Sequence, residues 1–128
     1  MTGSVFDASA LLTILNNEPG ADAAVEALPE GRMSAVNLAE VVSKLADYGL
    51  SDDEIHEALG AFELDVVPFD EDMAYAVGAL QRHTRQAGLS LGDRACLALA
   101  QQEGVPALTS DRVWAGLEIE VIVRLLRE

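Results

Sequence analysis

Four acidic residues stand where short strands end or helices begin, and carboxylates so placed can do chemistry without a histidine or a cysteine. Asp7 closes the run Ser4-Val5-Phe6-Asp7, and Glu40 sits in a helical stretch after Arg32-Met33-Ser34. Asp93 falls three residues after Ser90 in Leu89 to Ala100 (L-S-L-G-D-R-A-C-L-A-L-A), and Asp111 follows Thr109-Ser110. Each has a plain structural role open to it: Asp7 and Asp111 as helix caps, Asp93 as the partner of Ser90 in a capping box, Glu40 as a solvated helix residue. The apolar neighbours of Glu40, Leu38, Ala39, Val41 and Val42, are an unusual setting for a freely exposed charge. Brought together, four carboxylates repel, and some must hold a proton at neutral pH unless a cation joins them. Mg2+ and Mn2+ favour oxygen ligands. Such ions lower the pKa of bound water, and a pair of them also stabilises the leaving oxygen of an in-line displacement.

The elements that would hold these acids follow from periodicity and breakers. Ser4 to Asp7 is a short strand, and Ala8 to Asn16 turns helical with Leu11, Leu12 and Leu15 at helical spacing until Pro19-Gly20 breaks it. A second helix covers about Ala21 to Leu28, and Arg32 to Ser34 is a brief strand. Ala35 to Tyr48 carries a broad apolar face that stops at Gly49. Ser51-Asp52-Asp53-Glu54 is a capping box that launches the next helix. Leu64 to Phe69 reads as a strand, and Asp70 caps a long helix from Glu71 to about Gln86. Gly88 and Gly104 bracket the helix begun at Ser90, Pro106 to Thr109 is a buried strand, and Ile119 to Val123 is the last strand expected. Strands alternating with helical crossovers predict an α/β fold: a short parallel central sheet flanked by helices on both faces. In such sheets ligands bind beyond the carboxyl ends of the strands, which is where Asp7 and Asp111 stand.

The length of 128 residues suits one domain, taken as residues 1–128. Half the residues are apolar and aromatics are few, so Ala, Leu and Val must supply the core. The mean hydropathy of +0.19 is greasy for a small monomer and suggests surface covered by a partner. The charge of −14 argues against polyanion binding only superficially. Carboxylates gathered around cations become a phosphate site, and a few local arginines can steer what net charge does not. The single cysteine, Cys96, excludes an internal disulfide and a Cys-based zinc site, and among Ala and Leu it reads as a buried small hydrophobe. With neither a basic leader nor an apolar run near ~20 residues, a soluble cytoplasmic protein without membrane association is expected.

Four blocks in order resemble one family. Val5 to Leu12 (V-F-D-A-S-A-L-L), Ser34 to Val41 (S-A-V-N-L-A-E-V), Leu89 to Ala100 and Leu108 to Trp114 (L-T-S-D-R-V-W) look like the motifs of PIN-domain ribonucleases, specifically the small VapC-type toxins of bacterial toxin-antitoxin pairs. The resemblance runs the whole length of the chain. It implies an endoribonuclease dependent on Mg2+ or Mn2+, with Asp7, Glu40, Asp93 and Asp111 as catalytic and metal-binding acids. Asp111 matches the last and most variable acidic position, and Ser9 and Ser110 fall where hydroxyls orient an acid or its water. It further implies RNA as substrate, a cognate VapB-type antitoxin and a homodimer. Val41, Leu45, Leu50, Ile55 and Leu59, on two consecutive helices, could line a groove for such a partner or belong to the core.

Arg82 and Arg85 near one helix end, and Arg94 and Arg112 beside predicted ligands, either complement dipoles and acids or guide an RNA backbone. His56, His83 and Lys44 read as surface residues and Trp114 as a packing residue. Two other acidic-pocket classes fit less well. A phosphoacceptor receiver domain needs paired acids after its first strand and a lysine after its last, whereas Asp7 stands alone and Lys44, the sole lysine, lies in a helix. A haloacid-dehalogenase-type phosphatase needs a second aspartate that Asp7-Ala8-Ser9 lacks. A non-catalytic binding module of PIN fold remains an alternative.

Overall fold

A computed structural model describes residues 2–127. Met1 and Glu128, included in the single-domain expectation, lie outside the described residues. Five short strands, β1 (Ser4–Phe6), β2 (Gly31–Ser34), β3 (Asp65–Val67), β4 (Ala107–Thr109) and β5 (Val123–Leu125), form one sheet in the order β3-β2-β1-β4-β5. Every pairing is parallel. The chain steps outward from β1 through β2 to β3, then returns to place β4 on the other side of β1. In parallel sheets such a reversal, here between β1 and β4, is where ligands bind.

Side chains of β1 alternate between two cores, as the pleat requires. Val5 packs with Val77, Leu80, Cys96 and Trp114 on one face, and Phe6 packs with Leu11, Met33, Val41 and Ile55 on the other. The first layer is supplied by α5 (Glu71–Ala79) and α7 (Leu91–Glu103), the second by α1 (Ala8–Leu15), α2 (Ala21–Glu26), α3 (Ala35–Asp47) and α4 (Asp52–Gly60). The expected two-faced α/β sandwich is the fold of this chain.

Local chemistry sets most boundaries. Ser34 caps α3 through a bond from Val36 N to Oγ (3.2 Å), and Ser51 with Glu54 closes the capping box of α4 in both directions. Gly88 and Gly104 both take φ of 68°, the left-handed conformation glycine adopts without a Cβ penalty. They frame α7 on either side.

Two expectations are corrected. The helix expected from Glu71 to about Gln86 is broken: α5 ends at Ala79, α6 spans Gln81–Thr84, and a 3-10 turn covers Arg85–Ala87. His83 N bonds to Leu80 O three residues back, and the Thr84 hydroxyl donates to the same carbonyl at 2.9 Å, tightening the chain there. The stripe of Met73, Val77, Leu80 and Thr84 still stays buried across the break, so the periodicity signalled burial correctly and continuity wrongly. The last strand is Val123–Leu125 and not Ile119–Val123. Ile119 and Val121 rest half-buried against the core after a 3-10 turn at Arg112–Gly116, and pairing begins only where Ala107 N reaches Ile122 O. Among the described residues no helix is long and apolar enough to cross a membrane.

Candidate functional site

The site is assembled at the carboxyl edge of the sheet by four segments: the ends of β1 and β4, the first two turns of α3 and the first turn of α7. Helix α3 leaves the end of β2, while α7 delivers the chain to the start of β4, so both begin over the same edge. The register pairing Phe6 with Leu108 sets Asp7 beside Thr109.

Asp7 is at the N-cap position of α1, with extended backbone (φ −72°, ψ 159°), yet its side chain makes no capping bond. Its Oδ2 instead accepts hydrogen bonds from Ser9 Oγ (2.8 Å) and Thr109 Oγ1 (3.0 Å). Each hydroxyl has one proton. With both given to Asp7, the 3.2 Å contact between Ser9 Oγ and Thr109 Oγ1 has no donor of its own. The hydroxyl oxygens accept in turn from Ser110 N (3.0 Å, to Ser9) and Asp111 N (3.1 Å, to Thr109). Asp7 is only 5% exposed, and its pKa is raised from 3.8 to about 6. Burial is the main cause, the two hydroxyl bonds work against it, and the negative charges of Asp93 and Glu40 add to it.

Glu40 lies on the open flank of α3, where partial desolvation raises its pKa against the opposing bond from Asn37, with Asp93 pushing the same way as burial. Asn37, fully buried, donates Nδ2 to Glu40 Oε1 (2.9 Å) and to Gly92 O (3.0 Å), linking α3 to the first turn of α7. Gly92 is the space into which the Glu40 carboxyl fits, since a Cβ there would overlap it. Asp93 closes the expected capping box: Oδ2 accepts from Ser90 N (3.0 Å), and Asp93 N donates to Ser90 Oγ (3.1 Å). Cap and site membership coexist, because the same turn that fixes Asp93 lets its charge act on Asp7 and Glu40.

Asp111 joins the network indirectly. Its Oδ1 caps the 3-10 turn by accepting from Val113 N (3.0 Å), and its tie to Asp7 runs through its own amide and the Thr109 hydroxyl. Ser110 contributes its backbone N–H to this network. Among the described residues no three His, Cys, Asp or Glu side chains are grouped closely enough to enclose a metal ion. The donor set nevertheless suits a hard divalent cation: three mutually repelling carboxylates, oxygen ligands only, and no basic partner. The ion pair among the described residues, Arg127 to Glu18 at 3.8 Å, involves none of them.

Arg94 turns inward, its Nη1 donating to Val77 O (3.2 Å) while Nε is buried without a partner among the described residues. Arg82, Arg85 and Arg112 are exposed, and Arg82 and Arg85 share a shallow cavity of about 240 Å3 with His83 and Gln86. Cys96 is buried, and burial pushes its thiol well above the ordinary range. His56, His83 and Lys44 are exposed and Trp114 is buried, as expected. Of the groove candidates, Val41, Leu45 and Ile55 are core. Ile55 and Leu59 also line an open apolar cavity of about 360 Å3, joined by Leu38 and Val42 and edged by Asp52 and Glu63, whereas Leu50 is half-buried outside it.

Three contributors escaped the sequence reading: Asn37, Thr109 and Gly92. Asn37 stands three residues before Glu40, on the same helical face, which was a usable signal. Thr109 needed the β1–β4 register, and Gly92 the approach of α3 to α7.

A sequence model of the PIN domain matches residues 4–119. No curated protein matches the sequence significantly. Among solved structures, the toxin-antitoxin complex from Klebsiella pneumoniae has a chain that superposes with a TM-score of 0.78 at 22% identity, over 98% of this chain and 99% of that one. DNA-bound VapBC from Salmonella typhimurium gives 0.76 at 16% identity, covering 98% and 99%. VapBC-5 from Mycobacterium tuberculosis gives 0.63 at 23% identity, covering all of both chains. At these identities the likeness is one of fold.

Proposed function

This chain belongs to the PIN-domain family, and from that premise we propose that it is a metal-dependent endoribonuclease, the toxin of a VapBC-type toxin-antitoxin pair. The observation that carries the reading is Asp7, a buried carboxylate raised to about 6 with two further carboxylates acting on it and, among the described residues, no ion pair to relieve them. Asp7, Glu40 and Asp93 would hold Mg2+ or Mn2+, with Asp111 at the margin. Bound there, the ion would supply positive charge for the phosphoryl oxygens and a lowered pKa for the attacking water.

The protein's own groups do the rest. Ser9 and Thr109 hold Asp7 by Oδ2, which leaves Oδ1 free of protein hydrogen bonds among the described residues. The Ser90 cap fixes Asp93 in rotamer, Asn37 fixes Glu40, and the exposed Arg82, Arg85 and Arg112 are available to phosphates along the strand. Arg94, held by the Val77 carbonyl, supports the fold and reaches RNA only by leaving that bond.

The proposal extends to partners. All three structural neighbours named above come from toxin-antitoxin complexes. The apolar cavity beside Leu59 suits the apolar face of an antitoxin helix, whose basic side chains would meet Asp52 and Glu63. A homodimer agrees with the apolar surplus.

The test is cleavage of RNA by protein freed of any partner, with Mg2+ or Mn2+. Internal cleavage is expected, falling at least about a hundredfold in Asp93→Asn. Undiminished cleavage by that variant would remove Asp93 from the site. If no RNA is cut, the second reading, a non-catalytic PIN-fold binding module, takes its place.

A further inference from the structure

Asn37 is a polar side chain with no exposed surface, held between two acceptors, and one of its own atoms is unpaired. Nδ2 donates at 2.9 Å to Glu40 Oε1 and at 3.0 Å to Gly92 O, whereas Oδ1 is buried without a partner among the described residues. The reversed amide would aim Oδ1 at two acceptors about 3 Å away, a repulsive arrangement, so the network itself fixes the orientation. A packing residue at this position would be apolar, because burying an amide oxygen without a donor is unfavourable. The fold tolerates that orphan atom while directing both amide protons at one carboxylate and at the turn that carries Asp93. Gly92 completes the arrangement by leaving room for the carboxyl that Asn37 holds.

We propose that Asn37 is a positioning residue: its amide holds the Glu40 carboxylate against the first turn of α7, so that Glu40 and Asp93 meet a divalent cation as a preformed pair. This rests on the metal-dependent reading above. A ligand held by a hydrogen bond loses less freedom on binding an ion than one free to rotate on an exposed helix flank, and loss of such support commonly weakens metal affinity about 10–100-fold.

The experiment is a calorimetric titration of the purified full chain, free of any partner, with Mn2+ alone, alongside urea unfolding of each variant without metal. Asn37→Val removes both donors, and Asn37→Thr matches that valine in shape while keeping one hydroxyl donor. Asn37→Val should bind Mn2+ about tenfold or more weakly than the parent, with Asn37→Thr in between and similar urea midpoints for the two variants. In a Glu40→Gln background, Asn37→Val should change Mn2+ affinity little further, since it acts through that carboxylate. Parental affinity in Asn37→Val, equal affinity in the Val and Thr variants, or a full additional loss in the Glu40→Gln background would each overturn the assignment while leaving metal binding intact. A parent chain that binds no Mn2+ would overturn the metal-dependent reading and this role with it. Should Asn37→Val fail to fold, Asn37→Thr against the parent decides the matter by the same ordering.

Discussion

Asp7 and Asp111 occupy N-cap positions and Asp93 the third helical position of a capping box, and their side chains resolve what position leaves open. Asp93 and Asp111 accept the backbone amides a cap should accept, whereas Asp7 declines its helix and takes two hydroxyls. The raised pKa of Asp7 has a consequence for stability. Its folded value lies above its unfolded one, so the native state favours the protonated form; this contribution is fully present below about 3.8 and lost as pH rises through about 6. The interval corresponds to about 3 kcal/mol at most. Urea midpoints measured without metal from pH 4 to 7.5 should therefore show Asp7→Asn gaining on the parent as pH rises, and saturating Mn2+ should stabilise the parent but not the variant. A gap between the two proteins that does not change with pH would contradict the assigned burial.

At the scale of elements, the approach of α3 to α7 decides whether Glu40 belongs to the site. Gly92→Ala puts two effects in opposition. Alanine gains about 0.5–1 kcal/mol of helix stability, while its Cβ occupies the space of the Glu40 carboxyl. That carboxyl is the far end of a flexible side chain on an open flank, so it can swing away and lose its Asn37 bond. Gly92→Ala should keep its urea midpoint within about 1 kcal/mol of the parent and lose most RNA cleavage. A destabilisation above about 3 kcal/mol would mean that the helices themselves are forced apart. The break after α5 teaches the complementary lesson. Spacing showed which residues of 71–86 are buried, but the spacing of apolar residues does not mark where the chain tightens at Leu80, whose carbonyl accepts both His83 N and the Thr84 hydroxyl.

For the molecule as a whole, the open apolar cavity beside Leu59 is where the proposed partner is tested. Leu59 is half-buried on the wall of the 360 Å3 cavity, unlike its core neighbours Val41 and Leu45, so a charge there disturbs the surface more than the fold. If the cavity seats the proposed antitoxin, Leu59→Glu should abolish capture of that partner while the proposed RNA cleavage persists. Retained capture would move the antitoxin to another face. Light scattering at micromolar concentration should read twice the 13.6 kDa chain mass, and a monomer would remove the homodimer.

By itself the sequence determined the alternation of strands and helices, the caps at Ser51 and Ser90, the glycine stops around α7, and the placement of Asp7 and Asp111 beyond strand ends. These rest on local propensity, hydrogen bonding within a few residues and a period of burial, all readable along a chain. Only the tertiary structure decided which acids share a field and what holds each one. Thr109 became Asp7's partner through the β1–β4 register, Asn37 and Gly92 framed Glu40 through the approach of two helices 55 residues apart in sequence at that bond, and Asp111 was drawn to a capping bond of its own. Those outcomes depend on distances between segments remote in sequence, and a carboxylate's pKa and reach depend on what surrounds it in space.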